Sequence, residues 1–418
     1  ASSFSPPLNT SRPVLSGTFR YDIQAAQNGA SSLASILCYA DISVDQVLIG
    51  VKALESGMCN YAVDNRGDVG SWVRRQCMTS FAKLVDFWVR SEKITAFLDV
   101  SEFKERLRRI MAQIIRQLWE RMDQVRQGAL ECLQYLVSNG LASQIWPQVQ
   151  LNPIVDLISE SGTHASKEYY SRIGYFLSLE ETRQACLLGL IASIGSIGLE
   201  SQAASFAFNQ MINETEILNL RMEIVRAVFA IHEQRLGGPR LIPATLKTIE
   251  GLVCKDIPTW VQADDSNTKS LIWDEIGPRC ATLVRQDARN CRDPARLATI
   301  TRILSELIKF GAETYTLAVE GLMLLLVHPL PCTRKDVAEG LYTFLISMED
   351  DINGRDENPL PCHIASIKVQ DALELLLATC WDATSTPSST SALPDELRCV
   401  RDQLCDCLGV RKPRAAAR

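Results

Sequence analysis

Side chains that could do chemistry are few in this sequence, and they lie far apart. The four histidines are His164, His232, His328 and His363, and no Cys-x-x-Cys pair accompanies any of them. The chain has none of the motifs GxxxxGK[ST], HExxH or GxSxG, which place phosphate-binding, zinc-binding or nucleophilic groups at a fixed spacing. We therefore predict a protein that is not an enzyme, with no catalytic residue and no cofactor.

Cysteine is the other residue type that could hold a metal. Cys399, Cys405 and Cys407 lie close together and could bind zinc as thiolates. A structural zinc site has four ligands, and no fourth candidate lies nearby, so we predict no metal site. Most of the 14 cysteines occur singly in apolar stretches, as Cys186 does. This pattern is typical of thiols that pack as small hydrophobic groups in a reducing compartment, and it predicts a cytoplasmic protein.

Recognition by charge is the second kind of chemistry that the sequence allows. The stretch from residue 102 to residue 126 is locally basic, which would suit an acidic partner. The alternative is a solvated helix face held by pairs four residues apart, such as Glu105 with Arg109. For the first case we take Arg108, Arg109 and Arg116 as candidates for partner contact. The basic residues of the stretch are Lys104, Arg106, Arg108, Arg109, Arg116, Arg121 and Arg126, and the acidic ones are Glu102, Glu105, Glu120 and Asp123.

The charge of the whole chain limits the classes of partner. The formal net charge is −6 and the isoelectric point is about 5.5. A general nucleic-acid binder needs a net basic face for the phosphates, so this class is excluded. The two longest apolar stretches, 186–199 and 317–327, are shorter than the roughly 18 to 20 residues of a spanning helix, so we expect no membrane segment. The remaining class of partner is other proteins.

Helices must position these side chains. Glycine and proline are scarce, with 22 and 17 residues, which favours long helices. Apolar residues recur three and four apart over 69–88, and Trp72 lies on this stripe, so we predict that Trp72 is buried. Further helices are predicted around 103–122 and over 123–137, the last of them ending at Asn139 and Gly140.

Arginines recur at the start of apolar helices. The intervals between them are near the roughly 40 to 47 residues of HEAT and armadillo units, if two intervals carry insertions. Degenerate helical repeats explain this best. The sequence therefore predicts an all-α fold, a HEAT/armadillo-like helical-repeat solenoid. The four recurring residues are Arg74, Arg126, Arg183 and Arg226.

The pattern of polar and proline-rich segments predicts five parts of the chain. They are an extended leader at 1–20, HEAT-like helical repeats at 21–265, a joint at 266–293, further helical repeats at 294–382, and at 383–418 a Ser/Thr/Pro linker with a short helix and a basic tail.

Asp68 and Arg74 have the spacing of a HEAT repeat pair. They resemble the turn aspartate and the second-helix arginine that hydrogen-bond between neighbouring repeats. We predict that they form such a structural ladder, with partner contact as the alternative. Arg66, in the same polar loop, is a further candidate for partner contact.

The run from Asp64 to Arg74, with the sequence DNRGDVGSWVR, resembles a known signature. It is similar to the start of the C-terminal region of the tubulin-folding cofactor D family, also called tubulin-specific chaperone D. Asn65 departs from the serine expected in the family. Outside 64–88 the similarity is that of a degenerate HEAT-like helical chain.

The resemblance implies a scaffold or chaperone that binds β-tubulin after the chaperonin step of tubulin folding. As partners it implies the other tubulin-folding cofactors and a small Arf-like GTPase, in assembly or disassembly of the αβ-tubulin heterodimer. In that family the assembly stimulates GTP hydrolysis by tubulin, and the catalytic arginine is attributed to cofactor C, so none is transferred to this chain. The chain would be the C-terminal part of a longer, cytoplasmic and cytoskeleton-associated solenoid.

Two other classes of function are compatible with a helical array. One is a HEAT-type adaptor of the transport or import class that grips a peptide or a small GTPase. An asparagine ladder along inner helices would favour import adaptors, and the sequence shows none. The other is an enzyme with an unrecognised site, which the lack of clustered Ser, His, Cys and Asp residues disfavours.

Overall fold

A computed structural model describes residues 22–39, 42–147, 151, 155–156, 158, 166–215, 218–263, 266–353, 368–383 and 392–413. Within these ranges the regular structure is helical, apart from an isolated β-bridge between Asp64 and Gly67. The all-α helical-repeat fold is thus confirmed. The leader predicted at 1–20, the linker at 384–391 and the tail beyond residue 413 lie outside the described residues.

Contacts divide the chain into two compact units, one ending at Phe103 and one beginning at Lys104. In the first unit, α3 packs against both α1 and α2. Its apolar stripe, which includes Phe81, Leu84 and Trp88, is buried as the sequence predicts. The helices of this unit are α1 at Ile23–Tyr39, α2 at Val44–Met58, α3 at Gly70–Arg90 and α4 at Lys93–Leu98.

The helices from residue 101 to residue 233 include those predicted around 103–122 and over 123–137. The 3-10 turn Gly174–Leu177 directly follows α8. The helices are α5 at Ser101–Leu118, α6 at Asp123–Ser138, α7 at Leu141–Ile145, α8 at Lys167–Ile173, α9 at Glu180–Ile194, α10 at Leu199–Glu214 and α11 at Leu218–Glu233.

The rest of the second unit contains two π-helical turns, Leu252–Asp256 between α12 and α13 and Ile272–Ile276 between α14 and α15. The helices are α12 at Ile242–Gly251, α13 at Ile257–Ala263, α14 at Ser266–Leu271, α15 at Gly277–Ala288, α16 at Pro294–Leu307, α17 at Gly311–Leu325, α18 at Pro331–Asn353, α19 at Val369–Ala378 and α20 at Ala392–Leu408.

Two rows of helices give the second unit its repeat character. One row runs from α11 to α15 to α17, and the other from α12 to α16 to α18. Helices α15 and α16 also pack on each other, as do α16 and α17, so each helix contacts both rows. Stacked helix pairs of this kind bury a continuous core that no single pair could form.

The segment 266–293, predicted as a joint, differs from that expectation. It contains α14 and α15, and α15 lies in the middle of the first row. Because Cys280 and Val284 of α15 are fully buried, the core continues through this segment. The polar residues that suggested a joint therefore border helices that belong to the array, and the unit boundary lies at residue 103 instead.

Candidate functional site

The loop before α3 forms a tight turn. The backbone amides of Asp64 and Gly67 each donate to the other's carbonyl at 3.0 Å, and Gly67 has a φ of 103°, a region that favours glycine. The Arg66 guanidinium donates to the Asp64 carboxylate through Nη2 at 2.7 Å and Nε at 3.1 Å. It also lies 5.3 Å from the ring centroid of Trp72. The turn therefore presents an arginine on an aromatic ring.

Asp68 and Arg74 lie on the buried side of the same loop. Arg74 Nη2 donates to Asp68 Oδ2 at 2.9 Å, and Nη1 donates to Asp68 Oδ1 at 3.2 Å and to the Asn60 carbonyl at 2.6 Å. The guanidinium also covers the Tyr61 ring at 4.2 Å. These contacts tie α3 to the loop that precedes it, within one hairpin. A role of the pair between neighbouring repeats stays a prediction.

Trp72 is not buried, and the prediction that it belongs to the core is wrong. Its exposed fraction is 39%, whereas Val73 and Cys77 are almost fully covered. The reason is its position at the edge of the apolar stripe. Residues three and seven positions later, Arg75 and Thr79, are exposed, so Trp72 belongs to the outer face of α3.

Replacing Trp72 with alanine should therefore cost little stability. We expect a loss of about 1 kcal/mol, since the ring is partly covered by Arg66, against about 3 to 5 kcal/mol for a fully buried tryptophan. Urea unfolding with Trp72→Phe as the control would measure this. A loss of about 3 to 5 kcal/mol in the free energy of unfolding would instead show that Trp72 packs as a core residue.

The arginines of α5 contribute less free charge than their number suggests. Arg108 and Arg109 both pair with Glu105, at 3.3 and 3.5 Å, and the pair between Glu105 and Arg109 is the one that the spacing predicts. Both arginines are partly exposed. Arg116 has an exposed fraction of only 8%, so the prediction that it contacts a partner is wrong. Arg116 is covered because residues 114–118 are all buried, so the end of α5 is enclosed on every side, including the face that Arg109 exposes earlier in the helix.

Two of the recurring arginines share a structural role at the start of their helices, whereas Arg226 lies in the middle of α11 and does not open it as predicted. Arg126 donates to the Glu120 carbonyl at 2.5 Å, and Arg183 to the Leu177 carbonyl at 3.0 Å, each acceptor lying six residues earlier. Arg334 of α18 does the same with the carbonyl of His328, at 2.8 Å. Arg334 is not among the residues predicted from the sequence, although its position as the fourth residue of α18 is a signal that could have identified it.

Ion pairs between successive repeats form a second set of contacts, which the sequence did not predict. They join α9 to α11, α11 to α15 and its π turn, α12 to α16, and α15 to α17. The partners stand about one repeat apart in the chain, so no local pattern reveals them. The pairs are Arg183 with Glu223 at 2.8 Å, Arg226 with Glu275 at 2.6 Å, Arg279 with Glu233 at 2.8 Å, Arg285 with Glu320 at 3.1 Å, and Arg302 with Glu250.

Residues 108–296 match the family model described as tubulin folding cofactor D C terminal. This segment is a tubulin folding cofactor D C-terminal domain. The family resemblance is confirmed, and the family is one of chaperones of tubulin folding. The match covers α6 to α15 and lies after the signature at 64–88. The inter-repeat pairs of Arg183, Arg226 and Arg279 all fall within the cofactor D domain.

The cofactor D domain also buries a carboxylate at its first π turn. Asn213 donates through Nδ2 to Asp256 Oδ1 at 3.0 Å and accepts from Trp260 Nε1 at 2.7 Å. Asp256 Oδ2 has no hydrogen-bond partner among the described residues. Burial raises the pKa of Asp256 to about 6, against the hydrogen bond from Asn213, which lowers it. The side chain thus carries an uncompensated cost when it is ionised.

Asparagine at position 256 should therefore stabilise the cofactor D domain by about 2 kcal/mol at neutral pH. The folded carboxylate ionises near pH 6 and the unfolded one near about pH 4, so the cost develops between these values and stays constant above them. Urea unfolding of the wild type and of Asp256→Asn at about pH 7.5 and 4.5 would show a gain that is much smaller at the lower pH. Asp274→Asn, at an exposed site, is the control. An equal gain at both pH values would contradict the assignment.

Buried cysteines of the chain are poor nucleophiles. Burial raises the pKa of Cys77 and of Cys132 to about 12, which keeps both thiols protonated at neutral pH. Cys405 and Cys407 are buried while Cys399 is exposed. Among the described residues, no group of three or more His, Cys, Asp or Glu side chains is arranged to hold a metal ion. In the same part of the chain, no helix combines the length and apolar character that crossing a membrane requires.

Proposed function

We propose that this chain is the C-terminal part of a tubulin-folding cofactor and acts as a scaffold. It binds β-tubulin together with the other tubulin-folding cofactors and a small Arf-like GTPase, in assembly or disassembly of the αβ-tubulin heterodimer. The observation that carries this proposal is the cofactor D match over residues 108–296. Stacked helical repeats support it, because they offer extended surfaces to a large folded client.

The role that we propose is not enzymatic. The chain promotes GTP hydrolysis by tubulin indirectly, as a member of the assembly. Its arginines support this, because Arg74, Arg126 and Arg183 are used within the fold. We place the protein in the cytoplasm, associated with the cytoskeleton. The residues proposed for partner contact are Arg66, Arg108 and Arg109, which are partly exposed.

Binding assays with purified components test the proposal. The full chain is mixed with αβ-tubulin, with each isolated cofactor and with the Arf-like GTPase, and complexes are recovered by pull-down. Hydrogen exchange then locates the amides that each partner protects. We expect a complex with tubulin and protection within residues 108–296. Absence of binding to every component would overturn the proposal, and binding of the GTPase alone would favour the adaptor class.

Charge reversal tests the proposed contacts. Arg108→Glu and Arg109→Glu should weaken the tubulin complex, and more so at low salt because exposed charges are screened by ions. Arg121→Glu, in the exposed turn between α5 and α6, is the matched control. Equal effects of all three changes would exclude a specific contact at Arg108 and Arg109.

A further inference from the structure

The outer face of α3 is a charged stripe that the fold leaves open. Helices α1 and α2 pack on α3, while the residues of the stripe recur three and four apart along its free side. We propose that this stripe binds an acidic segment of a partner protein. The stripe consists of Trp72, Arg75, Thr79, Lys83, Asp86 and Arg90.

The charge of the stripe selects the partner. Arg90 is paired with Asp86 at 2.8 Å, but Arg75 and Lys83 have no ion-pair partner within the described ranges. The stripe therefore carries two uncompensated positive charges on a chain whose net charge is −6. In contrast, Arg108 and Arg109 of α5 share Glu105. A run of carboxylates is the complementary surface.

Trp72 supplies an anchor at one end of the stripe. Arg66 lies over its ring and is held in place by Asp64. Nη1 of Arg66 makes no hydrogen bond among the residues that the structure describes, so it can donate to an incoming carboxylate. Tryptophan and arginine are the residue types that most often carry binding energy at protein interfaces.

The length and polarity of the stripe favour a peptide over a lipid surface. From Trp72 to Arg90 the helix rises about 27 Å, which matches roughly eight residues of extended chain. A helix that lies in a membrane interface needs a broad apolar face. Here Arg75, Thr79 and Lys83 follow the tryptophan, so such a face is lacking.

Peptide binding to the full chain tests the proposal. The probe is a fluorescently labelled peptide in which glutamates flank one phenylalanine, and the reference probe has lysines in place of the glutamates. We expect saturable binding of the glutamate peptide, followed by anisotropy, that weakens between about 50 and 300 mM salt. The test does not depend on tubulin, so its result is distinguishable from that of the pull-down.

Single substitutions locate the binding. Arg75→Glu and Lys83→Glu should each weaken the glutamate peptide about fivefold at low salt, and Trp72→Ala should do the same through loss of the anchor. Lys52→Glu, an exposed change on α2 in the same unit, is the matched control and should have no effect. Thermal unfolding of each variant shows that the fold is kept.

Four outcomes would overturn the proposal. They are absence of binding by the glutamate peptide, equal binding of the lysine peptide, an equal loss in Lys52→Glu, and no loss in Arg75→Glu and Lys83→Glu. Vesicles of phosphatidylserine and phosphatidylcholine provide one more arm. Binding to these vesicles through Arg75 and Lys83, without binding of the glutamate peptide, would assign the stripe to a membrane surface instead.

Discussion

Replacing Arg74 with methionine should lower the free energy of unfolding of the first unit by about 3 to 5 kcal/mol. The guanidinium is fully buried and holds both oxygens of Asp68, the carbonyl of Asn60 and the ring of Tyr61. Methionine fills a similar volume but donates no hydrogen bond. It leaves the Asp68 carboxylate, whose side chain is only 16% exposed, without its counter-charge. The cost is that of an unpaired charge rather than of a cavity.

Hydrogen exchange of the α3 amides would measure this loss in the full chain. Arg75→Met is the matched control, because Arg75 is the next residue and is exposed, so we expect a change below about 0.5 kcal/mol. A double-mutant cycle with Asp68→Asn should give a coupling above about 1 kcal/mol. If Arg74→Met and Arg75→Met cost the same, the pair between Asp68 and Arg74 does not hold the hairpin together.

This pair shows what spacing can predict. Asp68 lies just before α3 and Arg74 lies in its first turns, six residues later. Because the connecting segment is short, the two side chains are held close enough to form an ion pair. The buried stripe of α3 was equally predictable, since Phe81, Leu84 and Trp88 repeat with the helical period. The exposure of Trp72 was not predictable from the helical period. Trp72 lies at the edge of the buried stripe, where contacts with the preceding loop determine whether a side chain is covered. Periodicity fixes the centre of a helix face more firmly than its margin.

The charges show where spacing fails. Residues 102–126 contain more basic than acidic side chains. The exposed positive charge is smaller than this count suggests, because Arg116 and Arg126 are buried and Glu105 pairs with two arginines. On α3, Arg75 and Lys83 are exposed and have no ion-pair partner among the described residues. The ion pairs between repeats could not be predicted from the sequence for another reason. Glu223 and Glu320 lie about one repeat from Arg183 and Arg285, and only the stacking of the rows brings them together.

Asp287 is the second residue whose loss should be severe. Its side chain is buried at the end of α15, with Arg296 of α16 donating through Nε to Oδ2 at 2.6 Å. Arg235 lies 3.2 Å from Oδ1, and Nε2 of the buried His232 at 3.6 Å. One carboxylate thus joins the end of α11, α15 and the start of α16. Burial alone would raise its pKa, but the nearby His232 and Arg296 outweigh burial and hold the pKa at about 2.

Asp287→Asn should therefore cost about 3 to 5 kcal/mol at neutral pH, because it leaves Arg296, whose side chain is only 21% exposed, without its counter-charge. Glu374→Gln removes an acid at an exposed site and is the matched control. Since the folded pKa lies below the unfolded value of about 4, the stabilisation is complete above that pH and is lost as the pH falls toward 2.

The difference in unfolding free energy between wild type and Asp287→Asn should accordingly narrow below about pH 4, in urea titrations at successive pH values. A difference that did not change with pH would show that shape, not charge, holds α11, α15 and α16 together at this point. Acid should act oppositely on Asp256, whose cost disappears at higher pH, as the pH falls from about 6 to about 4 and the carboxylate is protonated. The two buried carboxylates therefore give the array opposite responses to acid, and Asp256→Asn and Asp287→Asn separate them.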